Sequence, residues 1–558
     1  MAEAEKKKSS PFVRERVWEK IKNIGSPDVL IIGGGVNGVG LLRDLSLNGV
    51  SAVLIDTGDF SAGASGASSR MAHGGLRYLE GREFSLVRES ARERNMLLHD
   101  APHLVKPLEI VVPVTNLFAG FPKAALRFLG LSKKTGNLSL VAIEMALVLY
   151  ERFGAVRRAL PRHSVTLKKR FFPSGLPTTV KAVVSYYDGQ IVIPENLIME
   201  MIEAAIETPD VAAINHVAWQ YKQDGSLSVT DDVSGETRVL RPKTIVNATG
   251  SAIDKVNATL GNATQFIRGI KGAHLVLRHD ALHARMARRA FYFDDGQGRM
   301  VICLPVQDVI LIGTTEVETS DPADHSVSQK EIAYLLNALN SLFDDLHVTE
   351  DHIQSVTSGI RPLQAGSGNV TQAARDHALI QTEANGLPVW SLVGGKWTTF
   401  RSFAEMAADA ILARLGKTRS TSTADRPYPG AANVDATSLA GKTGVPVQRV
   451  TELLRRYGAI TSEVAAFCTS QPDNPLDNAP GYSRREVEWL TRQRMPLTLE
   501  DMVLRRMNIV MTGRLTRAAL KEIATIMAAV LGHDADWVDA QMEKCTSDSR
   551  ILWRGGKS

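Results

Sequence analysis

The chain is 558 residues long, 44% hydrophobic and 22% charged, which gives room for two or three domains with full cores and excludes a polypeptide disordered beyond its ends. Its net charge of +5 is small for this length and makes no case for nucleic acid as a partner. Cys303, Cys468 and Cys545 stand far apart without metal-ligand spacing, so a reducing compartment is expected and a metal is not.

Residues 1–25 read as a charged N-terminal extension without the continuous apolar core of a secretory signal. A strand is expected at 29–32, a helix at 36–48 and a second strand at 51–55. Between the first strand and the helix runs Gly33–Gly34–Gly35–Val36–Asn37–Gly38, and the second strand ends on Asp56. Gly33 permits a sharp turn, Gly35 lets the backbone approach a pyrophosphate, and Gly38 lets the helix pack closely on its strand. A carboxylate at the Asp56 position can accept ribose hydroxyls. Strand, glycine turn, helix and acid together read as a dinucleotide site.

A further helix is expected near 85–99. The longest apolar run, Leu138–Tyr150, is too short to span a bilayer and carries Glu144. From about 181 the pattern turns β-rich: 212–222 alternates, 227–230 follows a turn at Gly225, and 238–247 runs into Asn247–Ala248–Thr249–Gly250. Strands return near 273–277, 300–305 and 309–314, and helical periods at 328–343 and, after Gly394–Gly395, at 397–415. The Ser/Thr-rich stretch from Lys417 and the Pro427–Gly430 turn mark a linker at 417–433. Beyond it, periods at 446–456, 460–470, 482–493, 514–532 and 536–552 read as a helical cap over 434–558.

Four further segments carry a resemblance. Ser68–Ser69–Arg70–Met71–Ala72–His73–Gly74–Gly75–Leu76–Arg77–Tyr78–Leu79–Glu80 is similar to the S-S-K-L-I-H-G-G-L-R-Y-L-E signature of FAD-dependent glycerol-3-phosphate dehydrogenases. Ile312–Gly313–Thr314–Thr315–Glu316–Val317–Glu318 resembles their I-G-T-T-D-x-E segment. Gly359–Ile360–Arg361–Pro362–Leu363 and Gly394–Gly395–Lys396–Trp397–Thr398–Thr399 resemble their G-x-R-P-L and G-G-K-x-T-T segments. The likeness spans roughly 28–415 in the family's order, and the tail around Leu499–Arg506 resembles the family's C-terminal domain.

The resemblance implies an α/β fold: an FAD-binding Rossmann-like domain of the glutathione-reductase type, with segments at about 26–100, 181–250 and 355–416. A mixed-sheet substrate domain, at about 101–180 and 251–354, is interleaved with it, and a C-terminal α-helical domain follows. It implies FAD held by Gly33, Gly35, Asn37, Gly38 and Asp56, by the hydroxyls of Ser68 and Ser69, and by His73 and Gly75. Val217, placed in mid-strand, is expected to offer a backbone bond to adenine, and Thr249 and Gly250 to return the chain beside the cofactor. Gly395, Trp397 and Thr398 lie at a helix start, where N–H groups stabilise negative charge on a reduced flavin.

Oxidising a secondary alcohol on a flavin requires the carbinol C–H held over the flavin N5, a group to take the hydroxyl proton, and anchors for the rest of the substrate. Arg77, Arg361, Arg375 and Lys396 suit an anionic guest, and a phosphate monoester above all, because guanidinium donates parallel bonds to it. By resemblance, Arg361 and Lys396 serve the substrate and flavin face, and Arg77, Tyr78 and Arg375 the surrounding contacts. His73 is the candidate general base; its position equally suits a histidine bonded to backbone beside the flavin. His274, in Lys271–Gly272–Ala273–His274–Leu275, is the second candidate and a substrate contact.

By resemblance the expected reaction is oxidation of sn-glycerol 3-phosphate to dihydroxyacetone phosphate; the motifs leave quinone or oxygen as electron acceptor, and the resemblance favours quinone. After Tyr186–Tyr187–Asp188 this chain has Gly189–Gln190–Ile191–Val192–Ile193–Pro194–Glu195–Asn196–Leu197 in place of the family's D-D-A-R-L-type helix start. Another polyol phosphate, such as an erythritol phosphate, therefore stays open. Amine and amino-acid oxidases share the fold, and a non-catalytic nucleotide-binding scaffold is a further reading; the pocket cations favour the phosphate. Leu117–Leu129 mixes Phe118, Phe121 and Phe128 with Lys123 and Arg127, followed by Lys133 and Lys134, a composition suited to a lipid headgroup layer or to a helical pair closing the site. The resemblance thus implies a peripheral protein on the cytoplasmic face of the plasma membrane, with a membrane quinone as partner and a homodimer as assembly.

Overall fold

A computed structural model describes residues 12–79, 83–117, 140–155, 157, 159–296, 298–365 and 377–553. Three sheets and a helical domain organise them, the smallest sheet being the antiparallel Val217–Tyr221, Leu227–Asp231 and Thr237–Leu240. At the centre of the first sheet, Val29–Ile32 pairs in parallel with Ala52–Ile55 on one side and Thr244–Asn247 on the other. Val211–Ile214 extends the sheet beyond Ala52–Ile55, and Leu387–Val393 beyond Thr244–Asn247, both in parallel; Ala378–Ala384 closes that edge antiparallel. Strands Val29–Ile32, Ala52–Ile55 and Val211–Ile214 are wholly buried, continuous runs of Val, Ile, Leu and Ala, as strands covered on both faces must be. Helix Val36–Leu47 packs between Phe400–Arg414 and Pro194–Ile206. Gly40 allows this approach, since a Cβ there would stand 2.9 Å from the Phe400 ring.

The second sheet runs in the order Val317–Glu318, Ile267–Leu277, Val309–Gly313, Met300–Val306, Arg289–Asp294, Val105–Val114, Ala182–Ile191 and Met71–Ala72. Ile353–Gln364 pairs along Ile267–Leu277, and Ser164–Thr166 along Ala182–Ile191. This corrects the division drawn from sequence: Ala182–Ile191 and Ile353–Gln364, assigned to the cofactor domain at 181–250 and 355–416, are ladder partners in the other sheet. Their long antiparallel register, set by hydrogen bonds to strands remote in sequence, decides this.

Two expected strands are each split. The run 212–222 breaks at Asn215–His216, where His216 takes a φ of 47°, and the run 238–247 breaks between Leu240 and Thr244 around Pro242, which has no N–H to give a ladder. Helices Val13–Ile24, Leu140–Phe153 and Pro194–Ile206 go beyond the elements expected from periodicity. The first lies in the N-terminal extension and is held by tertiary contact: Trp18 and Ile21 are buried, and Arg14 donates to Asn215 at 2.7 Å and pairs with Asp231. Among the described residues, no helix is long and apolar enough to cross a membrane.

The expected linker is pinned to the first sheet. Lys417 reaches Asp28 at 2.9 Å, Arg419 reaches Asp44 at 2.9 Å, and the N–H of Thr421 donates to Asn48 at 3.0 Å. Beyond it, helices Val447–Tyr457, Thr461–Thr469, Arg484–Gln493, Arg517–Leu531 and Ala535–Ser547 enclose a separate core around Leu453, Trp489, Leu490 and Ile523.

A buried charge cluster fastens this helical domain to the first sheet. Asp59 accepts from Arg505 Nε at 2.6 Å, Arg506 Nη1 at 2.9 Å, Arg506 Nη2 at 2.6 Å and Asn215 Nδ2 at 2.7 Å. Asp501 takes Arg505 at 2.7 Å and His216 at 2.9 Å. Burial disfavours a charged His216, but the bond and charge of Asp501, backed by Asp59, outweigh it and raise its pKa. Asp59, His216 and Asp501 have the composition of a cation site; here the two arginines supply the positive charge. Removing one partner of such a cluster leaves the other buried and unpaired. Asp59→Ala is therefore expected to cost about 3–5 kcal/mol in urea unfolding, whereas Asp224→Ala, whose partner Arg241 is on the surface, leaves the midpoint in place.

Candidate active site

The glycine turn closes on itself and on the neighbouring strand. A Cβ on Gly38 would stand 2.1 Å from the Gly33 carbonyl oxygen and 3.2 Å from Ala248 Cβ, and one on Gly33, whose φ is 113°, would meet the Ala248 oxygen at 2.6 Å. Gly35 caps helix Val36–Leu47 without a side chain, and Ser65 Oγ accepts the Val36 N–H at 3.0 Å. The first turn of that helix presents N–H groups that no carbonyl one turn back can take, and an anion can.

Asp56 leaves the end of its strand beside this turn. Its carboxylate accepts the N–H of Gly34 at 2.6 Å and of Gly58 at 2.8 Å. Burial raises its pKa against those two donors, and a carboxylate's remaining lone pairs are free to take hydroxyl donors. A glycine cradle that any Cβ would fill, a helix N-terminus and an acid with acceptor capacity beside it fit the pyrophosphate and ribose of a dinucleotide such as FAD.

One placement from sequence is corrected here. Val217 begins its strand instead of lying in mid-strand, and its N–H is spent on the Asp56 carbonyl at 3.1 Å, which leaves only its carbonyl for an adenine. The Thr249 hydroxyl donates to Asn247 Oδ1 at 2.6 Å and its N–H meets the same oxygen at 3.3 Å, and Gly250 follows with φ 59°.

On the far side, the turn before helix Phe400–Arg414 is locked to the first helix and to the His73 segment. Asn37 Nδ2 donates to the Gly394 carbonyl at 3.0 Å, and Gly395, with φ 91°, leaves no room for a Cβ against Asn37. Trp397 is buried and its Nε1 donates to the Ser65 carbonyl at 2.9 Å. Thr398 Oγ1 accepts the His73 N–H at 3.0 Å and donates to the His73 carbonyl at 3.1 Å. The Thr398 hydroxyl thus clamps the backbone of His73 and is not available to a cofactor. Lys396 is half-buried on the same turn.

His73 is half-buried, between strand Met71–Ala72 and the short helix Leu76–Leu79. The next residue is fixed from below: the Gly74 N–H donates to Tyr150 Oη at 2.8 Å, and a Cβ on Gly74 would meet that oxygen at 2.4 Å. Tyr150 donates to Asp188 at 2.5 Å and accepts from Arg94 at 2.7 Å, and Arg94 also reaches Asp188 at 2.7 Å. Burial and the neighbouring Asp188 hold the Tyr150 phenol well above its ordinary pKa, so it stays protonated. Sequence reasoning missed Tyr150 because it closes an apolar run that reads only as core. Gly75, with φ 76°, completes the turn; the side chains of Arg77 and Tyr78, and all of Arg375, lie outside the described residues.

Arg361 projects from Ile353–Gln364. Its Nη2 donates to Thr314 Oγ1 at 2.9 Å, Nη1 stands 3.8 Å from Glu316, and the guanidinium lies over Gly272, where a Cβ would come within 2.8 Å of it. The Thr314–Glu316 segment therefore aims this arginine, a role its motif had not disclosed. His274 is corrected. It is 2% exposed, its Nε2 is 2.7 Å from Ser69 Oγ, and burial with the cations of Arg361 and Arg70 pushes its pKa down to about 3. It is enclosed behind Ser69 instead of facing a substrate, and so weak a base is poorly matched to taking a proton at neutral pH. Ser68 Oγ accepts the Arg70 N–H at 3.2 Å.

The departure after Asp188 also has a structural counterpart. Pro194 opens a helix, and Glu195 is buried in a pair with Arg70 at 2.9 Å, Arg70 standing where the related signature has lysine. Arg70 also reaches Asn508 of the helical domain at 3.1 Å, so this buried cluster joins three distant segments.

Residues 28–401 match the family described as FAD dependent oxidoreductase, and residues 421–538 match the C-terminal domain of alpha-glycerophosphate oxidase. A glycerol-3-phosphate dehydrogenase of Mycobacterium leprae is 29% identical, covering 97% of this chain and 90% of that protein. A D-erythritol 1-phosphate dehydrogenase of Brucella abortus is also 29% identical, covering 86% and 93%. The solved glycerol-3-phosphate dehydrogenase from Bacillus halodurans complexed with FAD superposes with a TM-score of 0.74 at 19% identity, over 98% of this chain and 99% of that one. Because overpacking costs about 1–3 kcal/mol, Gly38→Ala is expected to weaken cofactor binding by that amount, read as lost flavin absorbance in the purified protein. Gly441→Ala, which has open space around it, should stay yellow.

Proposed function

This chain belongs to the FAD-dependent oxidoreductase family, and from that premise we propose that it oxidises a polyol phosphate, sn-glycerol 3-phosphate first, to the corresponding ketone phosphate. The observation that carries the reading is Arg361, held by Thr314 and Glu316 over the bare backbone of Gly272. Bound FAD would supply the two-electron acceptor for the carbinol hydride. Gly33, Gly35, Gly38, Asp56 and the first turn of helix Val36–Leu47 would hold its pyrophosphate and ribose end. The Gly394–Thr398 turn would lie at its reactive end.

The chain's own groups have the remaining tasks. Arg361 and Lys396, with Arg77 and Arg375, anchor the phosphate, and a planar guanidinium gives that anchor a direction as well as a charge. His73 takes the hydroxyl proton; the Thr398 clamp and the Tyr150–Asp188 support below Gly74 fix the backbone from which it works. Positioning of this kind keeps the base within reach of a bound hydroxyl.

A second reading, a longer polyol phosphate such as erythritol phosphate, is favoured by the departure of residues 189–197 from the related pattern and by the similarity to the Brucella relative. Anaerobic titration separates the readings: bleaching of the flavin by glycerol 3-phosphate supports the first, preferential bleaching by erythritol phosphate the second, and bleaching by amino acids alone contradicts both. Since general acid–base catalysis contributes about 10²–10⁴-fold, His73→Asn should slow flavin reduction by that order with FAD retained; an unchanged rate removes His73 as the base.

We further propose that electrons leave to a membrane quinone and that the protein docks on an anionic bilayer. Phe118–Leu129, Lys133 and Lys134 lie outside the described residues. Helix Leu140–Phe153, which follows, exposes Met145 and Val148. His163, bonded to Glu151 at 2.8 Å, brings alongside it a segment exposing Leu167 and Phe171 among Lys168, Lys169 and Arg170. Apolar groups flanked by cations suit a headgroup layer. Wild type should co-sediment with phosphatidylglycerol vesicles at low salt, and Val148→Asp combined with Phe171→Asp should release it. Wild type left in the supernatant would count against docking.

A further inference from the structure

His274 lies on strand Ile267–Leu277 between Gly313 and Thr357 of the flanking strands. Its ring is seated against Gly313, where a Cβ would stand 2.2 Å from the imidazole Cδ2. Nε2 is 2.7 Å from Ser69 Oγ, while Nδ1 is enclosed and has no hydrogen-bond partner among the described residues. Burial, with the cations of Arg361 and Arg70 nearby, leaves this imidazole neutral at any ordinary pH, its pKa lying at about 3. A neutral imidazole carries a single N–H. On Nδ1 that hydrogen would be an orphaned buried donor, which folded proteins almost never contain; on Nε2 it is spent on Ser69, and the bare Nδ1 lone pair is the lesser cost.

We propose that His274 is a positioning residue that, as its Nε2–H tautomer, donates to Ser69 Oγ and so makes the Ser69 hydroxyl a fixed donor toward an acceptor oxygen of the bound ligand. Ser69 is half-buried, and with one lone pair engaged by His274 its own hydrogen is left for a partner outside the pair. Gly272 lies two residues before His274, on the same face of the strand, and the Arg361 guanidinium sits over it. Hydroxyl and guanidinium therefore address one side of one site, where an oxygen that only accepts, on a phosphate or a carbonyl, meets donors from both. That oxygen belongs to the cofactor or to the substrate, and the inference rests on the site being the flavin and polyol phosphate site proposed above.

The resting protein provides the first test. With histidines labelled with ¹⁵N and the resonance assigned by its loss in His274→Gln, His274 should be protonated at Nε2 and should not titrate between about pH 5 and pH 9, given an ordinary histidine pKa near 6.5. Protonation at Nδ1, or titration in that window, overturns the proposal whatever the substrate proves to be. The second test follows function through variants. Loss of one hydrogen bond to a charged acceptor corresponds to about 10- to 100-fold. Ser69→Ala should show that loss, His274→Leu should match it, and the double variant should be no worse than either. His274→Gln, whose amide can donate from the position of Nε2, should recover most of it. A loss in FAD titration of the apoprotein assigns the oxygen to the cofactor, and a loss in KM at full flavin occupancy assigns it to the substrate. Additive losses in the double variant, or His274→Gln as impaired as His274→Leu, overturn the proposal.

Discussion

The approach of helix Val36–Leu47 to the first sheet sets the rest of the molecule. At Gly38 the helix backbone comes so near the Gly33 carbonyl, and at Gly33 the turn comes so near Ala248, that no side-chain carbon fits at either place. The helix N-terminus is thereby fixed at the carboxyl end of the central strands, beside Asp56. An anion bound there meets unpaired N–H groups and the positive end of the helix dipole. Everything else in the site is disposed around that point: Asn37 holds the Gly394–Gly395 turn, Trp397 reaches back to Ser65, and Thr398 fastens His73.

The site is a junction of segments far apart in the chain, and the supports behind it are polar and buried. Tyr150 under Gly74, His274 behind Ser69 and Thr314 beside Arg361 each hold the residue that faces the site. Buried hydrogen bonds of this kind are directional, and a partner left unpaired in a medium of low polarity is costly, so each network has few alternative arrangements. The same logic extends to the helical domain. Arg505 and Arg506 enter the first sheet at Asp59, three residues beyond Asp56, and Asn508 joins the Arg70–Glu195 pair. The C-terminal helices are thus structurally continuous with the loop that follows Asp56.

Much of this was legible in the chain. The strand, glycine turn, helix and acid from Val29 to Asp56 were placed within a residue or so, because local chemistry dictates them: β-branched runs, positions needing φ above zero, and close backbone approach. The helices of the C-terminal cap were likewise legible from their apolar period. Motif order alone pointed to Ser69, His73, Arg361 and Lys396 as candidates for one site.

What the chain did not disclose is which groups those members spend on one another. Whether Val217 offers its N–H, whether the Thr398 hydroxyl is free, and whether His274 touches a ligand or stands behind one are questions about partners tens to hundreds of residues away. So is the allotment of Ala182–Ile191 and Ile353–Gln364 to the second sheet, since a strand's periodicity marks its faces but not its neighbours. The sequence by itself determined the elements and the chemical kinds gathered at the site, for these follow from bonds and sterics within a few residues. Only the tertiary structure decided the donor and acceptor pairing, because a hydrogen bond is consumed by whichever partner the fold brings within about 3 Å.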